Sequence, residues 1–193
     1  VFTAKQVYLF GIYILTYYGV IMKTVGYAAK SQGSELTEFS FERRDLRNND
    51  VEIEILYCGV CHSDLHAVRN DWGGSRYPLV PGHEIVGKVM SVGSDVTKYK
   101  QGDTVAVGCM VDSCKSCDQC DNNEEQFCRE GMVGTYAGKD RVSGEMTQGG
   151  YSKHVVVREE FVLSVPENLD LSRVAPLLCA GITCLLYTSD AAD

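Results

Sequence analysis

The sequence predicts a mainly β domain of the small, partly open barrel type, with short helices and a lobe built around cysteines. Three observations lead there. Short apolar or alternating runs are separated by Gly-containing turns. No internal repeat or low-complexity stretch interrupts them. Four cysteines fall within fifteen residues at metal-binding spacing.

Thr24–Ala29 and Leu36–Glu42 read as the first strands. Val51–Cys58 (VEIEILYC) alternates apolar and acidic residues, which places Val51, Ile53, Ile55 and Tyr57 on one face and Glu52 and Glu54 on the other. Ser63–Arg69 reads as a short helix opening just after Cys61. Ile85–Val92 and Thr104–Val107 are further strands, with Gly93-Ser94 and Gly102-Asp103 as turns. The cysteine lobe spans 109–130. Tyr151–Val157 is the last strand, and His154 within it reads as structural. Asp170 is placed to cap a helix over Leu171–Thr183, with Pro176 kinking it.

With 193 residues, 45% of them hydrophobic, the chain is long enough for one domain with a sizeable core. A net charge of −8 leaves no broad basic face, which argues against nucleic acid and anionic membrane surfaces as partners. The two ends read differently from the rest. Val1–Ile21 is apolar and Tyr-rich with Lys5 as its one charge, and it is expected to be upstream sequence translated ahead of Met22. A signal peptide or anchor is the weaker reading. The apolar run Val7–Met22 has 16 residues where a span needs roughly 20, and no A-x-A-like cleavage site follows. Cys184–Asp193 (CLLYTSDAAD) resembles an in-frame translation of a DNA sequencing adapter and is expected to be an artefact tail. The native fold is therefore expected to occupy 22–183.

Cys114, Cys117, Cys120 and Cys128 form C-x2-C-x2-C-x7-C. Four thiolates close a tetrahedral zinc site with no open position, so this cluster reads as structural. The residues between them are polar, and a metal would replace the core that the lobe lacks. Two disulfides or free thiols are the plain alternative, and a nucleic-acid-binding zinc ribbon the functional one, disfavoured by the acidic charge. A second constellation lies in CGVCHSDLH (Cys58–His66) and VPGHE (Val80–Glu84). Cys61 and His83 are a thiolate and an imidazole suited to a catalytic zinc, and Cys179 in PLLCAG is an isolated cysteine available as the third ligand. Cys58 and Cys109 follow apolar strands and read as core, and Gly82 as a tight turn. Abundant thiolates fit a reducing compartment such as the cytosol.

CGVCHSDLH, YPLVPGHEIVG, GCMVDSCKSCDQC, GGYS and APLLCAGIT occur in the order found in zinc-dependent medium-chain alcohol dehydrogenases. The chain resembles their cinnamyl-alcohol-dehydrogenase-like branch over Met22–Thr183. The resemblance implies a GroES-like catalytic domain that carries two zinc ions. It implies interconversion of primary alcohols and small aldehydes with NADP, or NAD. Cys61, His83 and Cys179 match the catalytic zinc ligands, and Cys114, Cys117, Cys120 and Cys128 the structural zinc ligands. Glu84 matches an acidic residue behind the metal, and Asp64 the carboxylate that orients the ligand histidine. Ser63 matches the hydroxyl on the substrate oxygen and His66 the far end of the proton relay. His62 falls where the family places a residue near the cofactor pyrophosphate, and Trp72 at a position that lines the family's substrate pocket, with a packing role as the equal alternative. The family continues into a Rossmann domain, yet no G-x-G-x-x-G occurs in this chain. The homodimer expected of the full-length enzyme forms through that domain. A non-enzymatic zinc-binding domain is the alternative reading of the same residues.

Overall fold

The computed structural model describes residues 22–190. The expectation for 1–21 lies outside the described residues, as does the end of the tail. Strands β1 (Met22–Ala29) and β2 (Leu36–Arg43) form an antiparallel hairpin in unbroken register from Met22↔Arg43 to Ala29↔Leu36. The main sheet is curled into a half-barrel of five antiparallel strands. Its members are β3 (Asp50–Cys58), β4 (Ile85–Val92), β5 (Thr104–Val107), β8 (His154–Arg158) and β9 (Val162–Ser164), in the order β8-β3-β4-β5-β9. A small pair, β6 (Met110–Asp112) with β7 (Val133–Gly134), brackets the cysteine lobe and its single turn α2 (Asp118–Asp121).

The expected strands are present, because β-branched residues at every second position bury one face of a pleated sheet. Val51, Ile53, Ile85, Val89, Val105, Val107, Val155 and Val157 form one core. The opposite face of β4 and β5 contributes Val86 and Ala106 to a second, smaller core that is covered by Val174 and Ala175 from the C-terminal helical segment. Strand β8 starts at His154, three residues later than its apolar pattern suggests. Tyr151 and Ser152 instead run beside β1, where Tyr151 O accepts from Tyr27 N at 2.8 Å.

Three local expectations need correction. The alternation puts Tyr57 on the inward face of β3, but it is 45% exposed while Cys58 packs against the core. A register shift between Ile55 and Tyr57 is the cause. An extra residue in one strand re-aims every side chain after it. Cys109, expected in the core, is exposed. The single helix expected over Leu171–Thr183 is broken. Asp170 caps α3 (Leu171–Val174) by accepting from Ser172 N, a 3-10 turn follows over Ala175–Leu178 with Pro176 in its first turn, and α4 (Ala180–Asp190) leaves at 56°. Cys179 sits at the break. Among the described residues no single helix is long and apolar enough to cross a membrane, and the bent pair that approaches that length buries Val174 and Ala175 in the second core.

The sheet is tied to its surroundings at Asp50, the first residue of β3, whose side chain is wholly buried. Its carboxylate accepts from Arg44 and from Arg47 N at 2.8 Å and Arg47 Nε at 2.9 Å. Arg47 also donates to Asp112 at 2.8 Å and Arg44 to Asp140 at 2.8 Å, so one buried network joins the β2–β3 loop, β6 and the loop after the lobe. Burial alone would raise the Asp50 carboxyl, but Arg47 and Arg44 outweigh it and hold the group below its ordinary value. The stability it contributes is therefore complete above that ordinary value, near 3.8, and is lost as pH falls through the lower folded value. Asp50→Asn strips two guanidinium groups of their shared charge and is expected to cost about 3–5 kcal/mol. Urea midpoints measured against pH check this: the wild-type chain should weaken below the carboxylate range, and Asp50→Asn should show a flatter acid limb.

Candidate functional site

The bulged end of β3 delivers Gly59, Val60 and Cys61 to the start of α1 (His62–Arg69). Gly59 N donates to Glu84 O at 2.8 Å, and a Cβ at Gly59 would collide with the Glu84 carboxylate, so the two ligand-bearing stretches lie in direct backbone contact. Cys61 occupies the N-cap of α1, where free N–H groups and the helix dipole favour a thiolate. Burial pushes the Cys61 thiol up, but the N–H and hydroxyl of Ser63, with Cys179 and His83, bring it below the ordinary thiol value.

Asp64, at the third position of α1, is buried and fully used. Its Oδ2 accepts from Cys61 N at 2.9 Å and from the Tyr151 hydroxyl at 3.0 Å. Its Oδ1 accepts from Gly82 N at 3.0 Å and lies 3.2 Å from His83 Nδ1. That contact commits Nδ1 and leaves Nε2 of His83 free to bind something else. Gly82 turns the chain with φ +100, and a Cβ there would sit 2.6 Å from the Tyr151 ring.

From the opposite side, the helix break presents Cys179. The ligand atoms of Cys61, His83, Glu84 and Cys179 all lie within 4.8 Å of one another. The Cys61 and Cys179 sulfurs are 3.8 Å apart, far beyond a disulfide bond of about 2.05 Å. Two Zn–S bonds of about 2.3 Å at a tetrahedral angle would place sulfurs about 3.8 Å apart. Glu84 Oε1 accepts from Ala180 N at 3.2 Å, while its buried Oε2 has no partner within the protein. The pocket also favours positive charge. Burial lowers the His83 imidazole, yet Asp64, Cys109 and Cys179 together push it up to about 12. Two thiols, an imidazole and an unpartnered buried carboxylate oxygen fit a zinc ion with three or four protein ligands.

The remaining residues singled out in the sequence lie on α1 and just after it. Ser63 lies against the Cys61 sulfur. His62, His66 and Trp72 form a separate, more exposed cluster, with ring centroids 4.6 Å apart for His62–His66 and 4.9 Å for His66–Trp72. Asp71 holds His66 Nδ1 at 2.8 Å. Trp72 is 67% exposed.

The second cluster, Cys114, Cys117, Cys120 and Cys128, also has its sulfurs within 4.8 Å of one another. The Cys114–Cys120 and Cys117–Cys120 separations are 3.8 and 3.5 Å, and all four cysteines are free. Backbone N–H groups address the sulfurs: Cys114 N reaches Cys128 and Arg129 N reaches Cys117, each at 3.4 Å. The Ser116 N–H draws the Cys114 thiol down to about 6. A Lys115–Glu125 ion pair at 2.5 Å and an Arg129–Asp118 pair at 2.8 Å link the lobe's segments.

Sequence reasoning passed over three residues near the first cluster. The Tyr136 ring lies 5.6 Å from that of His83, the Tyr151 hydroxyl reaches Asp64, and Cys109 is among the groups that raise the His83 imidazole. Tyr151 lies in the GGYS stretch, but its alternation signals a strand and nothing more. Tyr136 carries no local signal.

Residues 47–167 match the alcohol dehydrogenase GroES-like domain, and the chain belongs to that family. It is 54% identical over 159 residues to a probable cinnamyl alcohol dehydrogenase 8B of Oryza sativa subsp. japonica, covering 82% of this chain and 36% of that protein. It is 53% identical over 165 residues to an NADP-dependent alcohol dehydrogenase C of Mycobacterium bovis, covering 84% and 47% respectively. Among solved structures, a cinnamyl alcohol dehydrogenase of Helicobacter pylori in complex with NADP(H) superposes with a TM-score of 0.85 at 42% identity, over 90% of this chain and 50% of that one. The chain thus spans between about a third and a half of the length of these relatives.

Two clusters claim six of the nine cysteines. In the zinc-loaded chain those six thiols are expected to resist alkylation until a chelator is added. Cys58, pushed up to about 12 by burial, should react slowly with or without chelator. Mass spectrometry of the modified sites reads this out, and chelator-independent labelling of Cys61 and Cys114 would refute metal at both clusters.

Proposed function

We propose that this chain is the zinc-binding catalytic portion of an oxidoreductase that interconverts primary alcohols and aldehydes with NADP(H). The observation that carries the proposal is the convergence of Cys61, His83 and Cys179, from three separate elements, on one point beside an unpartnered buried Glu84 oxygen. Such a site offers two thiolates and an imidazole and leaves room for a further ligand, unlike the closed four-cysteine cluster. The acid–base surroundings, the family and the NADP-linked relatives all point the same way. We read Cys114, Cys117, Cys120 and Cys128 as the structural zinc ligands. Nine free cysteines suit a reducing compartment such as the cytosol.

A zinc ion held by Cys61, His83 and Cys179 would supply Lewis acidity at a substrate oxygen. The protein does the rest. Asp64 holds His83 so that Nε2 faces the site. The Ser63 hydroxyl, beside the Cys61 sulfur, is placed to hydrogen-bond the substrate oxygen and to accept or return its proton. His66, half-exposed and fixed by Asp71, exchanges that proton with solvent. His62, exposed at the start of α1, is the side chain we read as lying beside a cofactor pyrophosphate. Trp72, on the exposed side of His66, provides the apolar wall for the organic part of the substrate. Glu84 stands behind the ligand set, with Oε2 available when a ligand shifts.

In the protein joined to its nucleotide-binding portion, Cys61→Ala and His83→Ala are each expected to abolish NADPH-dependent aldehyde reduction and to lower bound zinc from two ions to one, as fits a ligand triad beside a separate structural site. Zinc analysis of the purified variants alongside steady-state rates tests this. Cys61→Ala with wild-type turnover would sink the assignment. Cys114→Ala should instead unfold the lobe, because metal binding and folding are one equilibrium there.

A further inference from the structure

Asp64 receives four donors, and three of them belong to the ligand-bearing stretches themselves: Cys61 N, Gly82 N and His83 Nδ1. The fourth, the Tyr151 hydroxyl at 3.0 Å, comes from 87 residues away in sequence. It shares Oδ2 with Cys61 N, so it fixes the rotation of the carboxylate whose other oxygen faces His83. The Tyr151 ring is clamped against Gly82, and its backbone is pinned on both sides: Tyr151 N donates to Pro81 O at 2.9 Å, and Gly150 N to Gly82 O at 2.8 Å.

Beneath this segment lies Arg43, the last residue of β2. Its guanidinium donates to His154 O at 2.9 Å, to Gly149 O at 2.9 Å, to the Ser152 hydroxyl at 2.8 Å and to Gln148 O. All four acceptors flank Tyr151. Burial is deep enough to pull the Arg43 group down to about 9. A guanidinium buried at that cost and spent on neutral acceptors serves to fix one conformation of one loop.

We propose that Tyr151 is a positioning residue for the His83 ligand, acting through Asp64, and that Arg43 holds the loop that presents it. The inference rests on the reading of Cys61, His83 and Cys179 as a metal centre. A carboxylate such as Asp64 orients a ligand histidine and raises its basicity, and disturbing such a partner typically weakens metal binding about 10–100-fold; Tyr151 acts by fixing that carboxylate. Tyr151→Phe deletes the hydroxyl and keeps the ring against Gly82, so the fold has no reason to change.

The test is a cobalt(II) titration of the full 193-residue chain against a competing chelator. A centre of two thiolates and one imidazole and a centre of four thiolates give different visible bands, so the two sites are reported separately. Tyr151→Phe is expected to weaken cobalt at the His83 site about 10-fold or more, with the four-cysteine site and the thermal midpoint unchanged. Arg43→Lys should shift the same site in the same direction. Should Arg43→Lys fail to fold, Tyr151→Phe decides alone. Equal affinity in the wild type and Tyr151→Phe, or equal loss at both sites, overturns this inference and leaves the metal-centre reading standing. A wild-type chain that binds cobalt only at the four-cysteine cluster overturns the metal centre and this inference with it.

Discussion

A buried carboxylate must find a donor for each of its lone pairs or forfeit several kcal/mol of hydration. Asp64 meets that demand with donors from α1, from the turn at Gly82–His83 and from the loop at Tyr151. The geometry of the first cluster follows from this satisfaction. The N-cap that carries Cys61, the tight turn that carries His83 and the aromatic lid over that turn all hang on the same two oxygens. Loss of any one donor frees the carboxylate to rotate, and the imidazole follows. The central anion has no slack, and the stretch that carries His83 is packed in the core between Leu79, Val80 and Ile85.

The two cysteine clusters solve different problems with the same atom. The lobe between β6 and β7 has two short pieces of helix and little core, and Phe127 and Met132 are 65% and 47% exposed. Its order depends on four thiols a few residues apart and on the N–H groups that face them. The first cluster inverts the arrangement: a sheet with a complete core exists without it, and its members Cys61, His83 and Cys179 arrive from far apart in the chain. One fold element is organised by its centre, and the other centre is organised by its fold.

That difference explains what was legible in the sequence. The lobe was readable because its ligands and its structure share one short window. The strands were readable because period-two burial is local, as at Ile85–Val92 and Thr104–Val107, whose bounds agree with the structure. The triad was legible only by residue type: Cys61 and His83 as a thiolate and an imidazole, and Cys179 as an isolated cysteine that nothing local connects to Cys61. The bulge near Leu56 was invisible because an alternating pattern carries no sign of an extra residue, and it turned Tyr57 outward. The helix break was announced by Pro176, but its consequence for Cys179 was not. Cys109 follows a buried strand and still faces outward, because the chain leaves the sheet at Gly108 to begin the lobe. Where tertiary context outweighed local pattern, the sequence was silent.

The break at Cys179 has a mechanical meaning. The residue stands between a 3-10 turn anchored in the second core and a helix that departs at 56° with Ile182, Leu185 and Leu186 exposed along it. A cysteine sulfur is two bonds from its own backbone, so it has almost no side-chain compliance to absorb a displacement. One arm of this joint is bolted to the sheet, and the other is tied to the site at its first residue, where Ala180 N donates to Glu84 Oε1 at 3.2 Å. The backbone on both sides of the break therefore dictates where the Cys179 sulfur stands beside Cys61 and His83.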